Sequence, residues 1–410
     1  MGNSKHLRYF CLLGPSNFGT LPSTVCRLHK LRIIERAGGV IKRFPTGFSD
    51  LISLQRINSK GFTYDRDQSD KLCLEWSFEV GAPSSETVRM MENQMEELPH
   101  WNIQHLHVEN YEGESCPSWL KPNLLPGLRS LKFRRCGKIK SIPFFVPSEE
   151  SRDNAQGPDN LNRLEELVVH ACDQINWQGS IVLPTSLRKL TLYSPGCSMD
   201  NLVSCFRDLT SLTHMEIRFG RSLTSIPLDV WSSNLPSLED LSIMDCYRLA
   251  SISASGASSS SGVKGFSALA KIEFYECGAL LSLDELLTPD YLPAVKTISV
   301  THCEALASVS VDRLHGLENL EIGRCHNCRI LSVPSSLKQL DLYSSDGIEF
   351  IDLSNSQSRS SSALKVLSIT GCPSLRSIGG EAAIAEIMNV GITGCPNLTE
   401  IQQPLERGYV

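Results

Sequence analysis

The chain has 410 residues, of which 39 are Lys or Arg and 45 are Asp or Glu, so its formal net charge is −6. This balance argues against a nucleic-acid binder that depends on bulk attraction to phosphates. With 41% hydrophobic and 20% charged residues, the chain can bury a core. No apolar run is long enough for a membrane span, and no secretory signal follows Met1, so the 15 cysteines are expected to be reduced thiols.

The N-terminal third contains strand-like segments without a regular period. Apolar residues at strand spacing predict strands around residues 7–12, 31–34, 54–57, 72–76 and 103–108. Residues 60–70 are polar and irregular, whereas residues 87–98 have apolar side chains at helical spacing. We therefore expect residues 1–127 to form irregular N-terminal repeats.

From Leu128 onwards one frame recurs, with apolar residues at positions 1, 4, 6, 9, 12 and 15. Its eleven copies begin at Leu128, Leu164, Leu187, Leu212, Leu238, Leu269, Val295, Leu317, Leu337, Leu364 and Ile387. The ten steps cover 259 residues, and the mean period of 25.9 is typical of leucine-rich repeats. We expect regular repeats over residues 128–401 and a tail at 402–410, all in one continuous solenoid.

Alternation at positions 4 and 6 is typical of a short strand with one buried face, after which positions 9, 12 and 15 turn the chain around an interior. A single repeat cannot bury its apolar side alone, so the repeats must stack. The predicted fold class is α/β, a leucine-rich repeat solenoid (horseshoe). We expect one parallel β-sheet on its concave face and mostly loops and short helices on its convex face.

Position 9 carries cysteine in eight of the eleven repeats, namely Cys136, Cys172, Cys246, Cys277, Cys303, Cys325, Cys372 and Cys395. Cysteine is small, is readily buried and donates only weak hydrogen bonds, which suits a tight turn that leaves a strand. We therefore expect these thiols to lie inside the solenoid.

Three long segments separate repeats without breaking their phase. They comprise residues 147–160, 251–262 and 355–362, and each falls on the return side of a repeat. We interpret them as mobile convex loops, because the alternative of three interdomain linkers would require the preserved phase to be a coincidence.

Residues 98–120 carry a more specific signal. The strings Leu98-Pro99-His100, Leu106-His107-Val108 and Pro117-Ser118-Trp119-Leu120 resemble the repeat region of plant intracellular nucleotide-binding leucine-rich repeat disease resistance proteins of the coiled-coil type. The resemblance implies a non-enzymatic recognition module in the cytoplasm or nucleus. It would sense pathogen effectors directly or through a guarded host protein, and it would restrain a nucleotide-binding module of a longer receptor.

The chain departs from that family because no Gly-x-x-x-x-Gly-Lys-Ser/Thr phosphate loop occurs in its sequence. Nucleotide-driven switching is therefore not carried over. We expect the chain to start inside the repeat array, as a fragment, a truncated gene product or a repeat-only relative. Because residues 1–5 are too few to cap a repeat, we also expect a sticky amino end.

Short motifs elsewhere favour structural roles. In Cys325-His326-Asn327-Cys328 the first cysteine occupies position 9, and no second pair lies at zinc spacing. In the sequon Asn397-Leu398-Thr399 the leucine occupies core position 12. No hydrolase elbow, metalloprotease or kinase string occurs. We therefore expect no catalytic residues, no metal and no cofactor.

The candidate binding site is the concave face, where positions 5, 7 and 8 point outward. Arg and aromatic side chains on an exposed face are typical interface anchors. The predicted protein-binding residues are Arg134, Arg135, His170, Tyr193, Arg218, Phe219, Met244, Asp245, Tyr275, Glu276, Thr301, Arg324 and Tyr343, with His302 beside them. Arg134 and Arg135 make the row basic at its start, and Asp240, Asp245, Glu273 and Glu276 make its middle acidic, so charge could orient a partner.

Other functional classes fit the sequence less well. A substrate-recognition subunit of a ubiquitin ligase is the alternative, but it needs an F-box helix cluster that residues 1–30 do not supply. A secreted receptor ectodomain would favour Asn at position 9 and a signal peptide. The leading hypothesis is recognition of a protein partner, with no nucleic acid and no membrane span.

Overall fold

The structure is a computed structural model, which describes residues 6–13, 20–37, 41, 44–51, 53–59, 62–65, 71–75, 88–89, 92, 103–116, 120, 124–142, 146–147, 163–175, 181–194, 206–254, 265–353, 363–379 and 387–399. The chain divides into two compact units, Met1–Cys197 and Ser198–Val410. Each is described by itself below, as unit 1 and unit 2.

Unit 1 contains eleven described strands and two 3-10 turns, Ser23–Arg27 and Phe48–Asp50. The strands are β1 (Tyr9–Leu13), β2 (Ile33–Ala37), β3 (Arg56–Ser59), β4 (Phe62–Asp65), β5 (Lys71–Glu75), β6 (His105–Glu109), β7 (Ser130–Arg134), β8 (Val146–Pro147), β9 (Glu166–His170), β10 (Ile181–Val182) and β11 (Lys189–Tyr193). Strands β1 to β3 pair in parallel, and so do β5, β6, β7, β9 and β11 in that order.

Unit 2 contains fourteen described strands and one short helix, α1 (Leu228–Asn234). The strands are β12 (His214–Arg218), β13 (Ser225–Pro227), β14 (Asp240–Met244), β15 (Ser251–Ser253), β16 (Lys271–Tyr275), β17 (Thr297–Thr301), β18 (Val309–Ser310), β19 (Asn319–Gly323), β20 (Ile330–Ser332), β21 (Gln339–Tyr343), β22 (Phe350–Asp352), β23 (Val366–Thr370), β24 (Ser377–Gly379) and β25 (Asn389–Thr393). The main sheet runs in parallel through β12, β14, β16, β17, β19, β21, β23 and β25.

The core lies behind the main strands, as the repeat frame predicts. In β14 the side chains of Leu241 and Ile243, at positions 4 and 6, are 2% and 0% exposed. Their register partners in β16 are Ile272 and Phe274, which are equally buried. Because positions 4 and 6 face inward on every main-sheet strand from β12 to β23, the predicted leucine-rich repeat fold is confirmed.

Two local predictions need correction. Residues 60–70, expected to be irregular, include β4, which pairs antiparallel with β3 and β5, so the main sheet of unit 1 is not parallel throughout. Residues 251–253, expected to belong to a loop, form β15. This strand pairs with β13, and β18, β20, β22 and β24 form a second such parallel sheet. The side chains at position 15 of these short strands, such as Ile252 and Leu331, are buried and pack against the core.

Several other predictions fall largely outside the described residues. The predicted helix at 87–98 is described only at residues 88, 89 and 92, which are helical. Most of the predicted loops at 147–160, 251–262 and 355–362 also lies outside the described ranges, as does the tail at 402–410.

A residue in the left-handed region ends each described main strand from β6 onwards. It occupies position 8, and its φ lies between 48° and 67° at Asn110, Arg135, Ala171, Ser194, Phe219, Asp245, Glu276, His302, Arg324, Ser344, Gly371 and Gly394. In ten of these twelve residues the backbone N–H donates to the position 7 carbonyl of the next strand and so continues the sheet; the Asp245 nitrogen, for example, lies 2.8 Å from the Tyr275 oxygen. This bond offsets the steric cost that a side chain incurs at positive φ.

The position 9 thiols lie directly behind this turn. Seven of the eight cysteines are fully buried, and Cys395 in the last repeat is half-buried. Each of the eight directs its thiol at the position 7 carbonyl two residues earlier, with S···O distances of 3.2–3.8 Å. Ser345, which replaces cysteine at this position, makes the same contact at 3.2 Å. The thiols therefore satisfy backbone acceptors inside the turn.

Candidate functional site

The outward surface of each main sheet consists of the side chains at strand positions 3, 5 and 7 together with the turn residue at position 8. We call this surface the strand face. All thirteen predicted binding residues lie on it. Arg135 and Arg324 are exposed, and nine others are half-buried. Asp245 and Thr301 depart from the prediction of an exposed row, because they are only 9% and 4% exposed.

The strand face of unit 1 is organised around Glu109 on β6. Its carboxylate lies 3.6 Å from the guanidinium of Arg135 and 3.9 Å from that of Arg134. Two strands further on, Glu166 forms an ion pair with Lys132 at 2.9 Å. Although burial opposes ionisation of Glu166, its hydrogen bonds from Ser130 and Lys132 lower its pKa. The predicted basic start of the row is therefore partly neutralised by carboxylates.

A cysteine and a histidine that the sequence did not single out lie next to this cluster. His107 Nδ1 is 3.5 Å from Cys73 Sγ, and His107 Nε2 is 3.6 Å from Glu109. Burial lowers the pKa of His107 and raises the pKa of Cys73, so both side chains favour their neutral forms. Such a pair is a structural contact rather than an activated nucleophile.

The aromatic part of unit 1 is a contact between His170 on β9 and Tyr193 on β11. Their rings meet edge to face with centroids 3.9 Å apart. Burial lowers the pKa of His170, and the neighbouring charges of Arg134 and Arg135 act in the same direction. A neutral imidazole packed on a tyrosine gives this end of the strand face an apolar, rigid element.

In unit 2, a cluster of tyrosines and carboxylates follows β14 and β16. The hydroxyl of Tyr247 donates to Glu276 at 2.9 Å and contacts Asp245 at 3.3 Å. This hydrogen bond lowers the pKa of Glu276, whereas burial and the neighbouring Glu276 raise the pKa of Asp245. Tyr275 completes the cluster and packs against His302, with ring centroids 4.9 Å apart. Sequence reasoning missed Tyr247, because it lies at position 10, outside the strand.

Thr301 is buried because Tyr343 lies across the sheet. The three residues Thr301, Gly323 and Tyr343 occupy position 7 on the adjacent strands β17, β19 and β21. A Cβ at Gly323 would lie 2.2 Å from the Tyr343 ring, so the ring occupies the space that the glycine leaves. The Tyr343 hydroxyl is hydrogen-bonded to Thr301, and burial raises the pKa of Tyr343. Tyr343 therefore covers two strands.

Position 5 of unit 2 forms an acidic and hydroxylated row. Ser242 donates to Glu273 at 3.0 Å across β14 and β16, and Ser299 donates to Glu321 at 2.9 Å across β17 and β19. Asp341 follows on β21. The sequence frame assigned position 5 to this face, but of these residues only Glu273 was singled out. The alternation of Ser and Glu in adjacent repeats was the signal for the others.

The described residues contain no group of three or more His, Cys, Asp or Glu side chains that could bind a metal ion. A depression of about 520 Å³ lies beside β23 and β25 and is lined by residues 366–368 and 388–391, none of which is titratable. Within the described ranges, no helix is both long and apolar enough to span a bilayer.

Five-residue strands that return in register once per turn, with buried positions 4, 6 and 9, define a leucine-rich repeat protein. Residues 64–172 match the sequence model of a family described as R13L1/DRL21 LRRs, which assigns that segment to a leucine-rich repeat region. No curated protein matches the chain in sequence.

Solved leucine-rich repeat structures resemble the chain at low identity. A leucine-rich repeat protein from Bacteroides thetaiotaomicron is 14% identical, with a TM-score of 0.39 over 85% of this chain and 51% of that one. Toll in its complex with Spatzle from Drosophila is 12% identical, with a TM-score of 0.36 over 88% and 46%. The TLR13 complex with ssRNA13 is 13% identical, with a TM-score of 0.37 over 94% and 54%. The chain thus spans about half the length of these solved chains.

Proposed function

We propose that this chain is a non-enzymatic protein-recognition module of plant innate immunity. Its strand face would bind a pathogen effector or a guarded host protein, and the module would restrain a nucleotide-binding switch in a longer receptor. It would act in the cytoplasm or nucleus. The observation that carries the proposal is the row of Arg and aromatic side chains on the strand face, outside the core.

Two further observations support it. Arg218 and Tyr275 stand on short strands fixed by regular pairing, and Arg324 follows β19 in a turn whose N–H bonds to the next strand, so a partner would meet preorganised groups. The resemblance of residues 98–120 to plant disease resistance proteins, together with the family match over residues 64–172, supports the immune role.

The test replaces three anchors on the strand face of unit 2. The full chain, fused to a proximity-labelling enzyme, is expressed in leaf tissue as wild type and as the triple variant R218A/F219A/Y275A. A matched control removes three exposed side chains away from this face, in L281A/R313A/F350A. We expect the strand-face variant to lose a specific set of labelled proteins that the control retains. Identical sets for two folded variants would refute the placement of the site.

The immune role has a separate test in the genomic sequence upstream of the coding region. An in-frame phosphate-loop module there supports the receptor assignment. An in-frame F-box would overturn it in favour of ubiquitin-ligase substrate recognition, with the strand face keeping its role as the binding surface.

A further inference from the structure

The strand face of unit 2 carries an excess of negative charge between β12 and β21. Seven carboxylates lie at positions 3, 5 and 8, namely Glu216, Asp240, Asp245, Glu273, Glu276, Glu321 and Asp341. Three cations accompany them, Arg218, Lys271 and Arg324, which leaves a formal net charge of −4. A charge of this size is more than half of the −6 of the whole chain.

Two of the cations form ion pairs with three of the carboxylates. Arg218 forms an ion pair with Glu216, and Lys271 lies 3.7 Å from Asp240 and 3.6 Å from Glu273. The remaining four carboxylates have no cation within 4.0 Å among the described residues. These four are Asp245, Glu276, Glu321 and Asp341.

Neutral groups orient three of these four carboxylates instead, whereas Asp245 only shares the Tyr247 hydroxyl with Glu276. Tyr247 donates to Glu276 at 2.9 Å, Ser299 donates to Glu321 at 2.9 Å, and the Gln339 amide donates to Asp341 at 2.6 Å. A neutral donor fixes the direction of a carboxylate but leaves its charge uncompensated. In unit 1, by contrast, Glu109 and Glu166 both have cationic partners. The uncompensated negative charge of unit 2 is therefore a local feature and not a property of every repeat.

Aromatic rings flank the uncompensated carboxylates. Tyr247 is 51% exposed beside Asp245 and Glu276, and Tyr343 lies on β21 close to Glu321, which acts on its pKa. A carboxylate beside an exposed ring is well suited to Arg or Lys, because the cation can pair with the acid while its plane or stem packs on the ring.

We propose that the strand face of unit 2 binds a basic segment of its protein partner, with Arg or Lys side chains placed on Glu276, which lies beside the buried Asp245, and on Glu321 and Asp341. The proposal rests on the proposed recognition function and names the chemistry of the partner. The acids form two pairs three strands apart, which corresponds to about 14 Å at the usual strand spacing. The pairs also occupy positions 8 and 5, which differ by three residues or about 10 Å along the strands, so their separation is about 17 Å. The basic residues of an extended segment would therefore lie about five residues apart.

The binding test uses the full chain and a fluorescent peptide with arginines at every fifth position, separated by Gly and Ser. A peptide with Glu in place of Arg is the negative control. We expect only the arginine peptide to raise the fluorescence anisotropy, and we expect its affinity to fall as salt increases. Equal binding of both peptides, or of neither, would overturn the proposal.

The decisive variants separate a local site from overall charge. E321K/D341K reverses two acids on the strand face, whereas D290K/D312K makes the same total change of charge on the return segments. We expect the first to weaken binding of the arginine peptide by about tenfold or more and the second by less than about twofold. Equal weakening would show that net charge alone attracts the peptide. If E321K/D341K does not fold, the near-isosteric E321Q/D341N must show the same ordering against D290N/D312N.

The two proposals fail in different ways. A protein partner that is lost in R218A/F219A/Y275A but retained in E321K/D341K leaves recognition standing and refutes the basic segment. Labelled proteins that are the same in the wild type and in both strand-face variants refute recognition by this surface, whatever the arginine peptide does.

Discussion

The buried thiols of unit 2 predict a specific loss of stability at alkaline pH. Burial raises the pKa of Cys246 and of Cys325 to about 12, from the ordinary 9.0 of an unperturbed thiol. Because the folded pKa is raised, the stabilising contribution is complete below pH 9. It is lost progressively as the pH rises towards 12. At pH 10.5 each thiol would reduce the free energy of unfolding by about 2 kcal/mol, so the two together would cost about 4 kcal/mol.

The assay compares urea unfolding at pH 8 and pH 10.5, followed by tryptophan fluorescence, in the wild type and in C246A/C325A. Trp231 is fully buried in unit 2 and reports its unfolding. We expect the variant to be less stable at pH 8, by about 1 kcal/mol for each substitution. However, it should lose about 4 kcal/mol less than the wild type between the two pH values. Tyr and Lys titrate equally in both proteins, so an identical pH dependence would refute the buried-thiol argument.

Two further predictions concern single side chains. G323A should destabilise unit 2 by about 1–3 kcal/mol, because its methyl group would displace the Tyr343 ring. This cost should largely disappear in a Y343A background, and a double-mutant cycle measured by urea unfolding would reveal it. The pKa of His107 should lie below its ordinary value of 6.5, because the imidazole is buried. E109Q should lower this pKa further, because Glu109 favours the charged imidazole. An unchanged or raised His107 titration midpoint in the variant, measured by NMR, would contradict this assignment.

The sequence was sufficient to predict the repeated strands and their buried positions. Leu241, Ile243 and Cys246 fall on the core side because alternation and recurrence are periodic signals that survive without knowledge of distant contacts. The buried thiols were predicted on the same grounds. Cys328, in the Cys-x-x-Cys string, proves to be another buried residue, at position 12.

Burial on the outer surface and the antiparallel strand β4 could not be predicted, because they depend on contacts between repeats that the sequence frame alone does not specify. Thr301 is buried only because Gly323 leaves room for Tyr343, and these residues belong to three successive repeats. Asp245 is shielded beside Tyr247 of the same turn and Glu276 of the next. The antiparallel β4 was missed because its polar residues lack a clear alternation, although Tyr64 is buried. Side-chain burial on the outer surface is therefore a property of neighbours in space.

The left-handed residue at the end of each described main strand from β6 onwards affects how this protein can change. Repeat lengths vary from 20 residues, between Leu317 and Leu337, to 36, between Leu128 and Leu164, yet the five-residue strands of both intervals keep their register. Insertions are thus accommodated behind the sheet, while each outward side chain keeps its position in the strand register. A new binding specificity can therefore arise by replacing a single outward residue, without moving the other outward residues.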